Sequence, residues 1–175
     1  MRSVTVASTV IGVYAVVASF AFATTAVETM LLYPNIFRDV PQSLAQTEEF
    51  MSVVAVGDVM RPMGGVLTLT ALIACAVAVR YRLARGWMVA SLVSLISGQF
   101  LLSVLYQWPR ASILFDDRDQ HTLAEIEQAA TEFLVGQGFR ILAAGVTAAC
   151  AVVAALLCYR ARVLATAADD IVAAL

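Results

Sequence analysis

Four uninterrupted apolar runs, residues 8–33, 53–79, 87–108 and 134–159, constrain this chain more than any other feature. A helix needs about 20 residues to cross the hydrocarbon core of a bilayer, and each run has that length. A membrane barrel would need shorter strands that alternate apolar and polar residues, whereas these runs are long, predominantly apolar and show no such alternation. The expected fold is all-α: a polytopic bundle of four transmembrane helices, forming one membrane domain over residues 1–175.

The composition agrees, with 61% hydrophobic and only 14% charged residues, too apolar for an ordinary soluble domain. All eleven basic residues are arginine and the formal net charge is -2, which gives no electrostatic footprint for nucleic acid. Cys75, Cys150 and Cys158 lie in or at the edges of the runs and read as small apolar fillers, not redox or metal groups. His121 stands alone among acidic residues without a metal-ligand spacing and reads as solvated, so neither metal nor cofactor is expected. The first apolar stretch starts near residue 4, is longer than a signal-peptide core and lacks a small-residue cleavage site, so it reads as a permanent span.

Arginine placement sets the expected topology. Arg80, Arg82 and Arg85 fill the short second connection, and Arg2, Arg160 and Arg162 flank the terminal spans. By the positive-inside rule these face the cytoplasm, putting both termini there in an integral cell-membrane protein. The longer connections carry Asp39, Glu48 and Glu49, then Asp116, Asp117, Asp119, Glu125 and Glu127, and face outward. Each is expected to hold a short interfacial helix. Pro41 opens residues 40–50, while Thr122 and Glu125 form a capping-box pattern ahead of Leu123, Ile126, Ala130 and Phe133 at helical spacing.

VGDVMR at 56–61 returns as VGQGFR at 135–140, VRYRLA at 79–84 is answered by CYRARV at 158–163, and Tyr33-Pro34 by Trp108-Pro109. The pattern implies two helical-hairpin pseudo-repeats, about 1–85 and 86–175, in the same orientation because each has an even number of spans. Asp58 and Gln137 precede Arg61 and Arg140 by three positions, on shared helix faces. With Glu28 at the outward end of span one, these residues are expected to converge in a polar chamber. There Arg61 or Arg140 would stabilise negative charge and Glu28 or Asp58 would accept a proton, with Tyr33, Gln99, Tyr106, Trp108 and Gln137 as ligand-binding candidates. The structural alternatives are ion pairing of the carboxylates with the arginines, snorkelling of the arginines to headgroups, an interhelical hydrogen bond at Gln99 and an aromatic belt of Tyr33, Tyr106 and Trp108.

EFLVGQGFRILAAG at 132–145, the four-span pattern, the proline after the first span and the long outer connection after the third resemble the anthrone-oxygenase-like family of small membrane proteins (DUF1772) over most of the chain. Phe133 and Gln137 stand where members often carry tryptophan and asparagine, and QWPRASILF at 107–115 lacks an asparagine that members place after the proline. The resemblance implies cofactor-independent oxidation of aromatic substrates, with Arg140 in the site. The residues themselves leave three functions open: binding of a hydrophobic or anionic small molecule in an outward-side polar pocket, noncatalytic lipid binding or membrane-complex assembly, and transport. The expected partners are membrane lipids, a hydrophobic small molecule, and a second copy or another membrane protein.

Overall fold

The computed structural model describes residues 2–173, with side chains from 4 to 167. The helices in chain order are α1 (Arg2–Val27), α2 (Gln42–Phe50), α3 (Val56–Tyr81), α4 (Arg85–Leu95) and α5 (Leu123–Ala173). Two of them run on beyond their regular part. α1 passes through a wide π turn, Glu28–Leu32, into the short helix Tyr33–Ile36. α4 passes through π segments Ile96–Leu101 and Ser103–Gln107, the helical turn Trp108–Ala111 and a last π turn, Ser112–Asp116. The result is an all-α bundle with four rods long and apolar enough to cross a bilayer: Val4–Ile36, Val56–Tyr81, Arg85–Asp116 and Leu123–Ala167.

α1 packs against α3 and α5, and α4 packs against α5 and α3, closing a four-membered ring. The interior is built from small residues. Ala15, Ala18, Ala21, Ala71, Ala74, Ala78, Ala148, Ala151 and Ala154 are buried around Ile11, Tyr14 and Met88, and small side chains let helix backbones approach closely. Gly98 lies so near Ala143 that a methyl group there would overlap the Ala143 Cβ, and Ser94 Oγ donates to the Ala143 carbonyl at 3.0 Å. The large apolar residues Val16, Phe20, Leu69, Leu105 and Leu142 point the other way and are exposed.

The inner stripe of α1 runs Ala7, Ile11, Tyr14, Ala18, Ala21, Thr25, Glu28, at steps of three and four. The next buried residues are Tyr33 and Ile36, so one step has become five. The π turn supplies it: the Tyr33 N–H reaches back to the Glu28 carbonyl. The same bond joins the Trp108 N–H to the Ser103 carbonyl. Each lies immediately before a proline, Pro34 or Pro109, whose ring crowds the carbonyl four residues back in a regular helix, and the wider turn relieves that crowding.

The extensions of α1 and α4, with α2 and the start of α5, enclose a second core of Tyr33, Ile36, Leu44, Leu114, Ile126, Ala129, Ala130 and Phe133. This is a cap on one end of the bundle. Arg118 clamps it with a two-pronged ion pair to Glu48 (2.9 and 3.0 Å), and Arg110 with a single contact, Nε to Glu132 Oε2 (2.8 Å). Its core contains no residue of α3.

Two sequence expectations change. The rods overrun the expected spans, because the π turns carry α1 and α4 past their prolines into the cap. The second outer helix is not separate from the fourth span. Thr122 does start it, with the Thr122 N–H donating to Glu125 Oε2 at 2.7 Å and the Glu125 N–H to Thr122 Oγ1 at 3.4 Å, but no break follows before Ala173. The stripe Ile126, Ala130, Phe133, Gln137 keeps helical spacing into the bundle, so one helix buries both segments.

Candidate functional site

Where the cap meets the bundle, a polar cluster is buried. α5 presents Phe133, Gly136, Gln137 and Arg140 on one face, at steps of three and four. Glu28 comes from the first residue of the π turn on α1 and is 3% exposed; Gln137 is 0% exposed. Arg140 Nη1 donates to Gln137 Oε1 at 3.1 Å. Arg140, the Glu28 carboxylate and the Tyr33 hydroxyl lie within electrostatic reach of one another. Glu28 and Arg140 nevertheless form no ion pair within 4.0 Å among the described residues.

The fifth member is Gln107, in the last position of the second π segment of α4 and 2% exposed. Its Nε2 donates to the Phe133 carbonyl at 3.2 Å. Gly136 makes room for it, since a methyl there would lie 2.8 Å from Gln107 Nε2 and 2.9 Å from the Tyr106 ring. Tyr33, Phe37 and Phe133 roof the cluster, with Tyr33 edge-on to Phe133 at 5.1 Å between centroids and Phe37 edge-on to it at 5.6 Å.

Four buried side-chain atoms here have no hydrogen-bond partner: Glu28 Oε1, Gln107 Oε1, Gln137 Nε2 and Arg140 Nε. Two accept and two donate. Leaving one such atom buried and unpaired costs about 1–3 kcal/mol, and more when it is charged. Chemically, Glu28 Oε1 and Gln107 Oε1 can each accept a hydrogen bond, and Gln137 Nε2 and Arg140 Nε can each donate one.

Of the residues expected from sequence, Glu28, Tyr33, Gln137 and Arg140 come together here. Tyr106 borders them through Gly136 and carries the Arg110 guanidinium 3.6 Å from its ring centroid. Gln99, in the first π segment of α4, donates to Thr147 Oγ1 at 3.1 Å, two turns along α5 from Arg140, the interhelical bond named as its alternative. Trp108 is exposed. Asp58 and Arg61 lie at the exposed start of α3, outside the cluster. The Asp58 carboxylate accepts the Ala55 N–H at 3.1 Å and so caps its own helix, and the Arg61 guanidinium folds back over Gly57. Gln107 was missed; its signal was a lone amide just before Trp108-Pro109, facing a glycine on the partner helix.

Among the described residues no group of histidine, cysteine and carboxylate side chains is arranged to hold a metal. No family model, curated protein or solved structure matches the chain.

Proposed function

We propose that the chain is a multi-pass integral membrane protein, with both termini cytoplasmic, that binds an amphipathic small molecule through the Glu28, Gln107, Gln137 and Arg140 cluster on its outward side. Membrane insertion is supported by the inside-out distribution of side chains: alanine within, and many valine, leucine and phenylalanine side chains without. Binding rests on one observation, the four buried polar atoms of complementary character that lack partners. The two-hairpin reading is supported by the matching bonds ahead of Pro34 and Pro109.

Native mass spectrometry of protein released from mild detergent tests the binding. A small molecule is expected to copurify with the wild type and to be lost from Glu28→Gln and Arg140→Gln. A bare wild-type mass, or equal retention by both variants, overturns the reading.

A second reading makes the site a cofactor-independent oxygenase of aromatic substrates, as the family resemblance implies. An unpaired carboxylate beside a guanidinium, under an aromatic roof, favours it. Glu28 would remove a proton and Arg140 would stabilise the resulting enolate, which then reacts with oxygen. Unchanged anthrone-dependent oxygen uptake by folded Arg140→Gln would exclude Arg140 from such chemistry.

A further inference from the structure

The Glu28 side chain is only 3% exposed, so a ligand needs a wider route to it. The π turn Glu28–Leu32 carries Glu28 on one side and forms, with Leu31 and Leu32, the wall of a surface groove on the other. The groove runs between the α1 extension and α2, holds about 210 Å³ of space and is lined further by Asn35, Gln46, Thr47 and Phe50. Its rim is apolar and bare: Leu31 is exposed, Phe50 is 85% exposed, and Val53 and Val54 continue the surface toward α3. Sites that engulf drug-sized ligands have about 300–1,000 Å³, so this groove suits a passage better than a final seat.

We propose that the groove is a lateral portal through which a lipid-dissolved amphiphile passes from the outer leaflet to the Glu28–Arg140 cluster. The proposal rests on the binding reading above. The occupant is lipid-soluble because the exposed rim continues the large apolar surface of the rods, and it carries a polar head because the groove offers Asn35, Gln46 and Thr47 to guide one inward. Leu32, half-buried in the wide turn, and Ile36, buried in the cap, line the groove on this route.

Carbodiimide labelling of Glu28, mapped by peptide mass spectrometry on protein in phosphatidylcholine vesicles, tests the portal. Lipid-soluble dicyclohexylcarbodiimide is expected to modify Glu28, and a water-soluble carbodiimide to leave it unmodified. Gln46→Trp and Asn35→Trp, which fill the groove from exposed positions, are expected to slow labelling about tenfold, while Gln46→Ala labels at the wild-type rate. No labelling of wild-type Glu28, faster labelling by the water-soluble reagent, or equal rates in the tryptophan variants and the wild type would each overturn the portal. So would equal slowing by Gln46→Ala and Gln46→Trp. Groove-dependent labelling of a protein that retains no small molecule would uphold the portal while sinking the binding reading, so the two fail separately.

Discussion

Glycine shows at single-residue scale how this interior tolerates polar groups. Gly136 and Gly138 are neighbours on α5, yet a side chain at Gly136 meets Gln107 and Tyr106 while one at Gly138 meets nothing within 4 Å. Gly136→Ala is expected to destabilise the protein by about 1–3 kcal/mol through overpacking, and Gly138→Ala to leave stability unchanged or raise it by up to about 1 kcal/mol. Equilibrium unfolding in mixed micelles separates them. Glu28 and Arg140 were legible as neighbours because antiparallel helices bring the ends that carry them to one level. Arg61 was not, since likeness between VGDVMR and VGQGFR fixes spacing along a helix and says nothing about what covers it. The cap sits on α1, α4 and α5 and leaves the start of α3 bare.

Elements carry a different lesson. The apolar runs gave the four rods directly, but their true ends depend on turns of five residues that a period of 3.6 does not reveal. A capping box likewise marks where a helix starts, not whether a second helix follows, which is why α5 absorbed the expected outer helix. The connection from α3 to α4 is tight enough to place Arg82 and Ala84 in the left-handed region, at φ 56° and 50°. Left-handed geometry costs an ordinary residue about 1–2 kcal/mol, partly offset by the greater freedom glycine has when unfolded. Ala84→Gly is therefore expected to stabilise the bundle by about 0.5–1 kcal/mol, read as a higher Tm in the same detergent.

The whole molecule has two ends of opposite character. The α3–α4 connection bears Arg80, Arg82 and Arg85, and the cap bears most of the acidic residues. The positive-inside rule then sets the proposed orientation, and accessibility can be measured. Cys75, Cys150 and Cys158 are buried, so cysteines added at exposed positions will dominate labelling by a membrane-impermeant maleimide. Gln120→Cys is expected to react in intact cells and Gly86→Cys only after permeabilisation; the reverse pattern would turn the protein over.

The π turn at Glu28–Leu32 behaves as one residue inserted into an otherwise regular helix. The stretch before it keeps its buried face inward as far as Glu28, and the stretch after it through Tyr33 and Ile36; the surplus is taken up at Met30 and Leu31, which are exposed. Deleting Met30 would leave both stretches facing as they do and erase the swelling, at the cost of returning the Pro34 ring to the carbonyl four residues before it. In such a shortened chain the inward register is kept while the groove wall is redrawn, and pairing the deletion with Pro34→Ala separates the loss of the wide turn from the clash of the proline ring.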